Sequence, residues 1–135
     1  CRFYNVYGPY QLTEGPYCTV IGIFQKLYEN NKPLTITGDG EQRRDFTHVD
    51  DVVKGTALCA IKGIKNEYQL GSGRSYSILK VAKMFKRKIK MIKKRRGEKF
   101  TGNANYLQAK KDLGYDPLKS LDKYVKAFIR KNRKL

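Results

Sequence analysis

The sequence predicts an α/β fold built on an incomplete parallel sheet, and three observations predict it. Short β-prone runs alternate with segments of helical period along all 135 residues. Hydrophobic residues make up 40%, with ten Tyr and six Phe, which is enough for a packed core. The strands are nevertheless too few and too scattered to complete a doubly wound sheet by themselves. One folding unit covering residues 1–135 suits a chain of this length.

The elements are read in chain order. Cys1 to Tyr7 mixes aromatic and β-branched residues up to the turn Gly8-Pro9, so it is predicted as a strand, buried over Cys1 to Val6. Val20, Ile21, Phe24, Leu27 and Tyr28 recur at helical spacing before Asn30-Asn31 and Pro33, which predicts a helix of about fourteen residues. Leu34 to Thr37 is a short strand, Gly38-Asp39-Gly40 a turn, and Asp45 to Val49 a second extended stretch. Asp50 or Asp51 is predicted to cap the next helix, with Val52, Val53, Ala57, Ala60 and Ile61 facing inward and Gly63 ending it. Glu67 to Leu70 reads as a strand before Gly71-Ser72-Gly73, and Ser77 caps a helix burying Ile78, Val81, Ala82 and Phe85. Lys88 to Lys93 is one more strand, and Tyr106 to Leu113 a short helix stopped by Gly114. Ser120 caps a last helix burying Leu121, Tyr124, Val125, Phe128 and Ile129. Strands Cys1 to Val6 and Glu67 to Leu70 are expected to lack partners in this chain, so that it folds poorly alone.

The formal net charge of +17 is unevenly spread. Residues 1–82 hold ten Lys or Arg against eight Asp or Glu, whereas residues 83–135 hold nineteen against four. Twenty of the 29 basic residues are Lys, many on the solvent faces of predicted helices, as expected of a hydrated surface. Lys86 to Lys90 and Lys93 to Arg96 could track phosphates, but no recognition helix, zinc finger or RNA-binding aromatic motif accompanies them. No specific nucleic-acid partner is expected. Nor is a membrane, since no run of roughly 18 apolar residues occurs. Cysteines at 1, 18 and 59, without a CxxC spacing, argue against a disulfide framework and a zinc site and suit a reducing, cytoplasmic setting.

Conventional catalytic arrangements are largely missing. His48 is the sole histidine, and no GxSxG, phosphate-loop lysine motif or HExxH occurs. Binding features are better represented. Arg43-Arg44-Asp45 follows a glycine turn, and a guanidinium held by a neighbouring carboxylate suits a pair of phosphate oxygens, although a plain surface ion pair explains the triplet too. Arg95-Arg96-Gly97-Glu98 is a second cationic pair beside a carboxylate, and a pyrophosphate could engage both clusters. Glu98 could accept from a ribose diol or could be an ordinary loop residue. Asn5 lies at a strand end, where α/β sheets place ligands, or else it stabilises the turn. Gly71-Ser72-Gly73 could cradle an anion, a weak signal without a third glycine. His48 reads as a packed, hydrogen-bonded histidine in preference to an acid or base.

Four ordered stretches, Arg2-Phe-Tyr-Asn-Val-Tyr-Gly-Pro9, Leu34 to Asp51 with its ITGDGEQRRDFTHVDD run, Tyr68-Gln-Leu-Gly-Ser-Gly73 and Arg95-Arg-Gly-Glu98, together resemble the NAD-dependent epimerase/dehydratase family. These are extended short-chain dehydrogenases acting on nucleotide sugars, and the similarity to the UDP-glucose 4-epimerase type covers essentially the whole chain. The resemblance implies that this is the C-terminal, substrate-binding part of such a fold, carrying the last strands of an incomplete Rossmann sheet. The family's GxxGxxG loop and catalytic YxxxK would then lie upstream, and no catalytic residue is expected here.

By position, the resemblance implies that Asn5 contacts sugar or diphosphate, and that Phe3 and Tyr4 border the nicotinamide end of an NAD pocket. Phe3 stands where relatives often have Tyr. Backbone groups around Thr35 and Thr37 would meet the base, Arg44 and Arg95 the diphosphate, and Glu98 the ribose hydroxyls, in a place often held by the shorter Asp. Asn105 follows Ala104 where relatives commonly have a capping Asp. The implied enzyme oxidises a sugar hydroxyl to a 4-keto intermediate with NAD, works on a nucleotide sugar, expected to be UDP-linked, and is a homodimer. The alternative is a stand-alone nucleotide- or nucleic-acid-binding module without catalysis.

Overall fold

The computed structural model describes residues 1–97 and 101–133. Strands β1 (Arg2–Phe3) and β2 (Val6–Tyr7) are separated by a break at Tyr4-Asn5, where Asn5 takes φ +23°. Helix α1 (Val20–Glu29) follows, then β3 (Leu34–Thr37), β4 (Arg43–Asp45), β5 (Thr47–His48) and α2 (Val49–Lys62). The remaining elements are β6 (Gln69–Leu70), β7 (Ser75–Ser77), α3 (Ile78–Met84), β8 (Ile89–Ile92), α4 (Leu107–Leu113) and α5 (Leu121–Asn132).

Among the described residues the strands pair two by two: β1 with β6, β2 with β5 and β3 with β8 in parallel, and β4 with β7 antiparallel. The first strand and Gln69-Leu70 therefore do find partners, namely each other, with Arg2 opposite Gln69 and Phe3 opposite Leu70. Each strand thus has one neighbour, contrary to the expectation that both lack partners, while among the described residues no strand pairs with the other edge of either. Cys1, Arg2 and Phe3 are exposed all the same, so burial begins only near Tyr4.

One apolar cluster joins Ile21 and Phe24 of α1, Leu34 and Ile36 of β3, Val81 and Ala82 of α3, Phe85, and Leu121 and Val125 of α5. The helical period of α1 and α5 and the alternation of β3 put these side chains on one side. A smaller cluster gathers Tyr68, Leu70, Ala109, Leu113 and Tyr115. Helix α1 is ten residues long, shorter than its apolar pattern predicts, because Thr19 remains extended and Asn30 closes the last turn by donating its N–H to Lys26 O.

Two expectations about α2 are corrected. Its N-cap is His48, whose Nδ1 accepts from Asp50 N at 3.1 Å, and Asp50 and Asp51 lie inside the first turn. Its buried face is Asp51, Val52 and Gly55, while Val53, Ala57, Ala60 and Ile61 are exposed. The apolar residues were read as the inner face; Gly55 is inside instead because an added Cβ would sit 2.9 Å from Leu70 and from the Tyr115 ring. The other caps follow the sequence more closely. Ser77 Oγ accepts from Lys80 N at 3.2 Å at the start of α3, and Gly114 closes α4 in the left-handed conformation, φ +72°. Ser120 occupies the N-cap of α5 without a side-chain bond to the helix.

Candidate functional site

A cleft of about 380 Å³ opens between the first turn of α1, strand β3, strand β4 and the segment after β8. Strand alternation shapes it. Leu34 and Ile36 are buried in the core, so Thr35 and Thr37 point the other way, and both line the cleft. Thr19, Val20 and Ile23 of the α1 end form one wall, and Ile92 and Arg95 arrive on the far side because β8 runs parallel to β3, with Thr37 opposite Ile92. Asn5 and Arg44 complete the lining.

Five of the six residues expected to bind substrate, Asn5, Thr35, Thr37, Arg44 and Arg95, therefore border one space although they span ninety positions of sequence. The sixth, Glu98, lies outside the described residues. Among the described residues the lining holds two guanidinium groups and no Asp or Glu, so these residues give the cleft a positive field. Asn5 Nδ2 donates to Asp45 O at 3.1 Å, as the turn-stabilising reading expects, and Asn5 also lines the cleft.

Arg44 is not held by the carboxylate next to it. Its Nη1 donates to Arg43 O at 2.8 Å, and Asp45 points to the opposite side of β4, as successive strand residues must. Arg43 takes the remaining polar contacts, with Nη2 to Ser75 O at 2.6 Å and Nε to Ser75 Oγ at 3.2 Å. Among the described residues the Arg44 side chain makes no other hydrogen bond.

Asp45 is itself the anion that the glycine turn holds. The carboxylate is fully buried and accepts from Ser72 N, Ser72 Oγ, Gly73 N, Thr47 Oγ1 and Ala104 N. The Gly71-Ser72-Gly73 cradle expected from sequence exists, but the chain fills it, and it leads into β7, not directly into a helix. A buried carboxylate with this many donors locks β4 against the 71–73 turn and residue 104.

Sequence reading missed Gln42. It is buried, lines the cleft, and its Nε2 donates to both O and Oγ1 of Thr37 at 3.2 Å. Cys18 was also missed; it borders the cleft with Sγ 3.1 Å from Leu12 O. Gln42 could have been singled out as a polar residue between the glycine turn and the arginine pair, whereas nothing in the sequence marks Cys18.

Phe3 and Tyr4 do not line this cleft. Phe3 is 52% exposed on β1, and Tyr4 Oη donates to Gln69 Oε1 at 2.7 Å. His48 is buried against Tyr7 and Tyr124, with ring centroids 5.2 and 5.7 Å away. Its Nδ1 accepts the Asp50 N–H, so the 3.6 Å approach to Asp50 Oδ2 is not that of a protonated pair. Burial lowers the imidazole pKa against the opposing pull of Asp50. It is the packed histidine the sequence suggested.

The Tyr-x-x-x-Lys spacing does occur within the chain, four times: Tyr28/Lys32, Tyr76/Lys80, Tyr106/Lys110 and Tyr115/Lys119. None of these tyrosines lines the cleft. Tyr28 and Tyr115 are buried in the two apolar clusters, Tyr106 packs against Tyr115, and Tyr76 carries the Lys80 ammonium 5.3 Å from its ring centroid. Spacing alone therefore assigns no base here. Among the described residues no group of three or more His, Cys, Asp or Glu could hold a metal ion, and no helix is long and apolar enough to cross a membrane.

Comparison with known proteins identifies the family and the fold. The family model of the NAD dependent epimerase/dehydratase family matches residues 1–72, just over half of the chain. The uncharacterised UDP-glucose epimerase YtcB of Bacillus subtilis is 36% identical over 130 residues, covering 89% of this chain and 39% of the relative. The UDP-glucuronate 4-epimerase of Thermodesulfobacterium geofontis is 32% identical, covering 95% and 41%. Among solved structures, the UDP-glucose 4-epimerase of Thermotoga maritima with UDP-glucose superimposes with a TM-score of 0.88 at 32% identity, over 98% of this chain and 46% of that one. The UDP-glucuronic acid 4-epimerase of Bacillus cereus, in complex with UDP-glucuronic acid and NAD, gives 0.81 at 30% identity, over 98% and 44%. The chain spans about two fifths of the length of the curated relatives it matches.

Proposed function

Because the chain belongs to the NAD-dependent epimerase/dehydratase family, we propose that residues 1–135 are the nucleotide-sugar-binding portion of such an enzyme, most similar in kind to a UDP-glucose 4-epimerase. The observation that carries this reading is the convergence of Arg44 and Arg95, with Asn5, Thr35 and Thr37, on one cleft. Two guanidinium forks suit a diphosphate, whose oxygens accept charge-assisted bonds. Thr35 and Thr37 stand on β3 where a base would lie, and Asn5 stands at the strand break toward the sugar. Glu98, outside the described residues, is assigned to the ribose hydroxyls.

NAD is the cofactor of this family, and the solved relative of Bacillus cereus carries it. The chain's own surface fits the role assigned to Phe3: an aromatic ring more than half exposed beside a parallel strand pair offers a flat face to a nicotinamide. Tyr4, fixed through its hydroxyl to Gln69, would border the same end. NAD supplies the hydride acceptor and donor. The residues described here supply the grip: Arg44 and Arg95 hold the diphosphate while the sugar end stays free to turn. In this reading the catalytic base lies outside the residues assigned to the cleft, this chain supplies binding, and the whole enzyme works as a homodimer.

The test is titration of UDP into the chain by calorimetry at fixed ionic strength. Arg44→Ala and Arg95→Ala should each weaken binding by about tenfold or more, the worth of a charge-assisted contact. Unchanged affinity in both variants would overturn the reading. The family assignment supports the enzyme reading over the alternative of a nucleic-acid module, whose binding would collapse with salt and show no preference for a nucleotide.

A further inference from the structure

We propose that the chain carries a second anion site, built for a compact oligophosphate, where the turn between α3 and β8 meets the C-terminal ends of α1 and α5. Two clefts of about 470 and 390 Å³ adjoin there and share Lys86, Ile129 and Arg133 as walls. Around them stand Lys86, Arg87, Lys126, Arg130 and Arg133, against the carboxylates of Glu29 and Asp122. Among the described residues none of these five cations forms an ion pair, since the pairs present are Arg2–Glu67, Lys26–Glu14, His48–Asp50 and Lys119–Asp50. None of these residues borders the nucleotide cleft, which lies toward the other end of α1.

Cations at the end of α5 would by themselves be ordinary, because they offset the helix dipole. Two further features are not explained that way. Lys86 follows the last turn of α3 in the left-handed region, φ +53°, a place where glycine costs less. The residue borders both clefts, and its backbone is in a conformation that a lysine adopts at a cost. Arg87 is preorganised. Its guanidinium lies 4.3 Å from the Tyr28 ring centroid, and Nη2 donates to Asn31 Oδ1 at 2.8 Å and Tyr28 O at 3.4 Å. Among the described residues Nε is buried without an acceptor and Nη1 has no hydrogen-bond partner. A fixed guanidinium with an unused edge, beside four more unpaired cations, matches an anion of three or more charges whose oxygens are close together. A triphosphate group has that charge and that compactness, whereas a single carboxylate would leave most of the cations unmatched.

The probe is inorganic tripolyphosphate, titrated into the chain at about 150 mM salt, where unspecific surface attraction is largely screened. With UDP saturating the nucleotide cleft, saturable one-to-one binding is expected, and it is undiminished in Arg44→Ala. It should weaken by about tenfold or more in Arg87→Gln and in the double variant Lys126→Gln/Arg130→Gln. The double variant alters two exposed side chains, so its urea midpoint should match that of the parent and report on binding alone. Absence of saturable binding would overturn the proposal, as would competition by UDP together with loss in Arg44→Ala, or full affinity in the double variant. Failure of the nucleotide reading leaves this result intact, because the two sites share no residue.

Discussion

Ser72 meets the fully buried carboxylate of Asp45 twice, through its amide at 2.9 Å and its hydroxyl at 2.7 Å. With Gly73 N, Thr47 Oγ1 and Ala104 N as further donors, this one side chain ties β4, which carries Arg44, to three separate stretches of chain. Asp45→Asn keeps the shape but replaces an acceptor by donors that face N–H groups. A loss of about 2–4 kcal/mol is expected in urea unfolding. A change under about 0.5 kcal/mol, the range of a surface substitution, would contradict the role given to this residue.

Gly71 makes room for the same junction. A Cβ there would lie 2.0 Å from Ala104 Cβ and 3.1 Å from Asp45 Oδ2. Gly71→Ala should therefore cost at least about 1–3 kcal/mol as overpacking, and the double variant Gly71→Ala/Ala104→Gly should recover part of that loss. Thermal unfolding of the four proteins of this cycle measures the coupling.

Two buried tyrosines should respond oppositely to loss of the hydroxyl. Tyr115 Oη donates to Gly71 O at 3.1 Å, whereas Tyr7 Oη is buried without a hydrogen-bond partner among the described residues. Burial holds both hydroxyls protonated far above the ordinary tyrosine range. Tyr115→Phe should cost about 1 kcal/mol, and Tyr7→Phe should be neutral or stabilising by a similar amount. Paired denaturation curves compare them directly.

His48 gives the chain a pH dependence of defined sign. Burial lowers its native pKa, while the unfolded chain takes up a proton near the ordinary value of about 6.5. The unfolded state then binds more protons as pH falls, so this contribution to stability is complete above about pH 6.5 and is lost as pH drops toward the lower native pKa. His48→Asn keeps a capping acceptor for Asp50 N and removes the titration. Urea midpoints between about pH 7.5 and 5.5 should fall in the parent and fall less in the variant.

Local sequence marks the periodic elements and the two arginine pairs that include Arg44 and Arg95. The turn at Gly38 to Gly40, the apolar stripes of α1 and α5, the alternation in β3 and the capping Ser77 are local features, and local chemistry marks them without reference to distant residues. The candidate site was legible residue by residue, because Asn5, Thr35, Thr37, Arg44 and Arg95 sit in recognisable stretches. That they face one cleft was decided by the parallel pairing of β3 with β8, a contact between stretches more than fifty residues apart. Tertiary structure also decided which carboxylate does what. Asp45 follows Arg44 directly and reads as its partner, yet strand alternation sends it inward to Ser72 and Gly73. In α2 the apolar residues read as core, but Gly55 faces inward because only a residue without a side chain fits beside Leu70 and Tyr115. Contacts of this kind depend on what stands opposite, and composition and spacing along one chain do not encode that without the fold.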